Sequence, residues 1–68
     1  MKLTVDYVTS NEYPDQFTIS DLLVYMDVEP VPWLIVAVNN IFYKKEQFKE
    51  TDLHDGDKVD LIYVRGGG

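Results

Sequence analysis

The sequence contains no cysteine. That absence excludes a disulfide scaffold, a thiolate metal site and a nucleophilic or persulfide-carrying thiol. Positive charge is scarce: six Lys and Arg stand against twelve Asp and Glu, a net charge of −6. Such a balance argues against nucleic-acid and anionic-membrane partners. No apolar run approaches the ~18 residues of a membrane span. The opening Met1-Lys2-Leu3-Thr4-Val5-Asp6-Tyr7 alternates and meets charge too soon for a signal peptide. A cytoplasmic protein is expected.

What is present suffices for one small core. At 68 residues, with 46% hydrophobic and 13% aromatic residues, the chain is long enough for one domain and too apolar for disorder. Charge is uneven along it. Up to Trp33, Lys2 alone opposes Asp6, Glu12, Asp15, Asp21, Asp27 and Glu29, whereas cations and anions nearly balance from Leu34 onward. An acidic first half fits either a basic partner surface or a solubilising device.

Hydrophobic periodicity gives the order of elements. Residues 2–8 alternate, with Leu3, Val5 and Tyr7 on one face, which predicts a half-buried strand. Ser10-Asn11 and Pro14-Asp15 punctuate the chain, and any second strand around 12–17 is confined by Pro14 to a short or edge position. Thr18 and Asp21 have capping-box spacing, and Ile19, Leu22, Leu23 and Met26 form a helical stripe. Pro30 and Pro32 end that helix near Asp27 or Val28.

Leu34 to Val38 is a nearly continuous apolar run, expected as a covered or central strand. Asn39-Asn40 tolerates positive φ and predicts a tight hairpin into Ile41-Phe42-Tyr43. Lys44 to Leu53 reads as a surface helical turn, and His54-Asp55-Gly56-Asp57 as a turn before a last strand, Lys58 to Val64. The fold class expected is α+β: a mixed sheet of four to five strands with one main helix on one face. Pairing of the first and last strands in mid-sheet would use that helix as the crossover parallel neighbours need. Residues 1–64 are expected to form the domain and 65–68 a flexible glycine tail.

Three consecutive glycines, Gly66-Gly67-Gly68, are costly to order and contribute no core. Alone they fit an added linker, a meaningless end, or a segment threaded into another protein's active site. Their setting resembles a known family. Met1-Lys2-Leu3-Thr4-Val5, Thr18-Ile19-Ser20-Asp21-Leu22-Leu23, Val36-Ala37-Val38-Asn39, Asp55-Gly56-Asp57-Lys58-Val59 and the closing glycines together resemble the ubiquitin-like β-grasp sulfur carriers. The likeness is nearest to the thiamine-pathway carrier family, ThiS, with the small subunit of molybdopterin synthase close behind. It covers essentially the whole chain. Gly66 stands where family members usually have a residue such as Ala, and Tyr13-Pro14 and Val31-Pro32-Trp33 depart from the pattern.

The resemblance implies a protein co-substrate rather than an enzyme, with no bound cofactor. It implies that a ubiquitin-activating-type enzyme spends ATP to adenylate the Gly68 carboxylate. A sulfur donor such as a cysteine desulfurase then makes a thiocarboxylate, which thiazole synthase or another acceptor enzyme consumes. Gly66 and Gly67 would thread the slot, being thin and conformationally free. Ile62 and Val64 are expected on the open face of the sheet, with Ile35 and Ala37 beside them and Arg65 at its exit, as the docking surface of the adenylating partner. A ubiquitin-like modifier and a plain β-grasp binding module are the readings of other classes.

The remaining features have ordinary explanations. His54 with Asp52, Asp55 and Asp57 lacks the calcium-loop pattern and reads as a solvated turn, so no metal site is expected. Lys44, Lys45 and Lys49 are interleaved with Glu46 and Glu50, as on a solvated face. Met26 and Trp33 are expected in the core, since a small domain has few large apolar residues to leave outside.

Overall fold

The computed structural model describes residues 1–65. Strands β1 (Leu3–Val5) and β2 (Val8–Ser10) precede helix α1 (Ile19–Tyr25). Strands β3 (Leu34–Val38) and β4 (Ile41–Tyr43), a 3-10 turn at Lys45–Gln47 and strand β5 (Lys58–Tyr63) follow. The five-stranded sheet has the order β2-β1-β5-β3-β4. β5 is parallel to β1 and antiparallel to β3, so the first and last strands do pair in mid-sheet. This is the expected α+β, ubiquitin-like β-grasp arrangement.

The start of the chain departs from expectation. Residues 2–8 are not one strand, because Asp6 (φ 47°) and Tyr7 (φ 71°) form a two-residue turn of type I′ geometry between Val5 and Val8. Tertiary contacts hold the turn. Asp6 N–H donates to Val59 O at 2.9 Å, and Asp6 Oδ1 accepts from Leu61 N–H at 3.0 Å. Lys58 Nζ lies 5.5 Å from the centre of the Tyr7 ring, a cation–π contact. The second strand is therefore Val8–Ser10, and residues 12–17 form no named strand. They carry Tyr13 and Phe17 inward instead, against Tyr25, with ring centroids 5.2–6.3 Å apart.

The helix begins as its sequence dictates. Thr18 caps it, its hydroxyl accepting from Asp21 N–H at 3.1 Å, while Asp21 Oδ2 accepts from Thr18 N–H at 2.9 Å. Ile19, Leu22 and Leu23 are buried with Leu3, Leu34, Val36, Phe48, Leu53 and Val59, and Met26 packs at the edge. Each fully buried aliphatic side chain here contributes roughly 1.5–3 kcal/mol. Asn39 (φ 52°) and Asn40 (φ 69°) make the expected β3–β4 turn. Trp33 corrects the expectation of a core role: it is 56% exposed. Leu34 takes the inward position beside it, and the buried aromatic residues are Phe48, Phe17 and Tyr13.

Candidate functional site

The central strand β5 carries the chain toward residue 65 with ladders on both sides. Its exit is fixed by the Pro30–Trp33 loop: Val64 N–H donates to Trp33 O at 2.9 Å, and Leu34 N–H to Val31 O at 3.0 Å. The prolines stiffen this loop, which lets it brace the strand end. Beside the exit lies an open groove of ≈ 850 Å³, lined by Pro32, Trp33, Ile35, Tyr63, Val64 and Arg65. Lys44 and Glu46 add charges of both signs to the same groove.

Strand register sorts the residues expected at a docking surface. Val59 is buried and Leu61 packs against the core, so Asp60 and Ile62 project to the opposite face. Ile62 pairs with Ile35, and Asp60 with Ala37, which places all four on that face. Ile62 is 37% exposed, Ile35 is half-buried, and Val64 and Arg65 are exposed. Ala37 needs correction. It is on the open face by register but only 3% exposed, so it floors the face and offers a partner almost no surface.

Two residues were not expected here. Phe42 pairs with Ala37 and is 67% exposed, which adds a large apolar side chain to the open face. The signal was available: a two-residue turn at Asn39-Asn40 fixes the pairing of Val38 with Ile41 and hence of Ala37 with Phe42. Trp33, expected in the core, lines the groove at the strand exit. Gly66, Gly67 and Gly68, on which the threading and carboxylate expectations fall, lie outside the described residues.

The acidic turn around His54 is engaged in backbone bonding. Asp57 Oδ2 accepts from His54 N–H at 2.7 Å, and Asp55 Oδ1 from Lys2 N–H at 2.6 Å. Gly56, at φ 88°, donates to Lys2 O at 2.7 Å, tying the turn to the start of β1. Among the described residues, no group of three or more His, Asp or Glu side chains could hold a metal ion. No helix among them is long and apolar enough to cross a membrane. Tyr13 and Tyr25 have phenol pKa values above the usual 10.0. For Tyr13 the cause is burial, then the Glu12 charge; for Tyr25 it is first a hydrogen bond with Glu12, then burial and the nearby Glu12 and Tyr13.

Comparison with known proteins agrees with this geometry. The crystal structure of the thiamine biosynthesis protein ThiS from Geobacter metallireducens superposes with a TM-score of 0.84 at 30% identity, covering 100% of both chains. The solution structure of a thiamine biosynthesis protein from Geobacter metallireducens gives a TM-score of 0.76 at 29% identity, over 100% of this chain and 88% of that one. No curated protein matches the sequence at a significant level. The sequence profile of the ThiS family matches residues 4–68, from the first strand through the glycines. With the whole fold and nearly the whole sequence in agreement, the chain belongs to the ThiS family.

Proposed function

We propose that this chain, a sulfur carrier by family, bears its sulfur as a thiocarboxylate on Gly68 and delivers it to thiazole formation in thiamine biosynthesis. The family match that runs through Gly68 carries the reading. The central strand aimed at the glycines, and the apolar face beside it, support it. A carboxylate is a poor electrophile, so the first step is activation. Gly68 carboxylate attacks the α-phosphorus of ATP on a ubiquitin-activating-type partner, pyrophosphate leaves, and an acyl-adenylate forms. The terminal sulfur of a desulfurase persulfide then attacks the acyl carbon and AMP leaves. A second thiol cleaves the resulting S–S bond, which frees the thiocarboxylate and leaves a disulfide on the donor side.

This chain's own contribution is to be held and threaded. Ile62, Ile35, Phe42 and Val64 give the adenylating enzyme an apolar surface to cover. Trp33 and Arg65 sit where the strand enters the slot, and Gly66 and Gly67 pass through it because they have no Cβ. The protein acts as a co-substrate. The proposed setting is the cytoplasm.

The test is the intact mass of the protein after incubation with the adenylating enzyme, ATP and a persulfide source. A gain equal to one sulfur replacing one oxygen, located in the peptide ending at Gly68, is the expected result. An unchanged mass with an active partner enzyme would overturn the proposal. A ladder of lysine-linked conjugates would point to a protein modifier instead.

A further inference from the structure

The open face of the sheet has an apolar strip over β4, β3 and β5 (Phe42, Ala37, Ile35 and Ile62) with one carboxylate at its margin, while Lys58, Thr4 and Thr9 make the β1–β2 side polar. Asp60 on β5 pairs with Ala37, beyond which lies Phe42, and Ile62 is the next residue on its own side of the strand. Its Oδ1 is shielded from solvent, and no hydrogen-bond donor among the described residues reaches it. The cation nearest in sequence, Lys58, is on the same side of β5 but spends its ammonium over the Tyr7 ring. Ion pairs among the described residues involve Asp15 and Asp57, not Asp60. The carboxylate of Asp6 is already an acceptor for Leu61 N–H. It adds negative charge near the site and donates nothing.

A carboxylate with one oxygen shielded and unpartnered is tolerable while water reaches the other. Covering it with an apolar surface removes that water, and an uncompensated charge at such a place is strongly unfavourable. A protein that seals over Ile35, Phe42 and Ile62 must therefore bring its own donor. We propose that Asp60 is the polar registration point of this face, and that the adenylating partner places an arginine guanidinium on it. Guanidinium fits best because it is weakly hydrated and permanently charged, and it can pair with the carboxylate at the oxygen that is not shielded. The apolar residues then supply area, while the single charge pair fixes where on the flat sheet the partner sits. This inference rests on the proposal that the face docks an adenylating enzyme.

The test is a titration of the purified adenylating enzyme with wild type, Asp60→Asn, Asp60→Lys, Ile62→Asp and Glu50→Gln, at low and high salt. Glu50→Gln removes the same unit of charge elsewhere on the surface. Asp60→Asn is expected to weaken binding about 30-fold or more, Asp60→Lys further, and Glu50→Gln less than about twofold. The Asn variant should melt no lower than wild type, because it removes a charge with an unsatisfied oxygen; Asp60→Thr serves if it does not fold. If Ile62→Asp abolishes binding while Asp60→Asn binds like wild type, the face is right and the role of Asp60 is wrong. Wild-type-like binding by both Ile62→Asp and Asp60→Asn, or no binding by wild type, would overturn the docking face and this inference together.

Discussion

Trp33 and Leu34 are adjacent in sequence and opposite in exposure, so truncating each to alanine separates the proposed docking from stability. Leu34 is fully buried at the start of β3, among the aliphatic side chains beneath α1. Leu34→Ala removes buried carbon and leaves a cavity, at about 2–5 kcal/mol. A chain of 68 residues has only about 3–10 kcal/mol in total, so the variant sits close to unfolding. At about 4–8 °C per kcal/mol for a domain of this size, its melting temperature should fall by about 8 °C or more. Trp33 is 56% exposed, and its backbone carbonyl, which the substitution keeps, makes the bond to Val64. Trp33→Ala should therefore cost less than about 1 kcal/mol of stability. If Trp33 enters the partner interface, its loss should cost about 2 kcal/mol of binding, roughly a 30-fold fall in affinity for the adenylating enzyme. Thermal melts and a binding titration on the two variants settle the matter. Equal melting losses would refute the placement of Trp33 outside the core. An unchanged affinity for Trp33→Ala would remove it from the docking surface.

Three further outcomes are expected. Thr18→Ala loses the cap hydroxyl that accepts from Asp21 N–H and should destabilise the fold by about 1 kcal/mol, read from a urea midpoint. Tyr13 and Tyr25 have pKa values raised in the folded state, so their contribution to stability is complete below the unfolded value of 10.0 and is lost as pH rises through the folded values. Alkaline denaturation followed by phenolate absorbance should show this, and Glu12→Gln should move the phenol titration down toward its ordinary value; no movement would discount Glu12. Deleting Gly68 removes no side chain, so melting should be unchanged while thiocarboxylate formation stops. A large fall in melting temperature would contradict that separation.

Most elements were legible because each carried a local rule. The Thr18–Asp21 box, the i, i+3, i+4 stripe after it and the Asn39-Asn40 turn are local chemistry, and the structure follows them. The first hairpin was not legible, because its turn is imposed from a distance. Asp6 is held by Val59 and Leu61, more than fifty residues along the chain, and no turn dipeptide advertises the positive φ at Tyr7. On the open face, the exposed positions of Ile62 and Val64 followed from alternation along the last strand. Ala37 misled because alternation assigns a side chain's direction and says nothing of the neighbours that cover it. Trp33 misled for a related reason: apolar size argues for burial only where the backbone turns a side chain inward, and here Leu34 has the inward position.

The position of β5 has a mechanical consequence. A partner that grips the chain beyond Arg65 pulls along the axis of a strand bonded on both flanks, to β1 and to β3. Hydrogen bonds in these ladders run across the strands, so the pull loads them together in shear and does not peel them apart one by one. Had the same residues followed an edge strand, tension would unzip a single ladder. The fold therefore resists tension applied beyond Arg65 better than an edge-strand exit would.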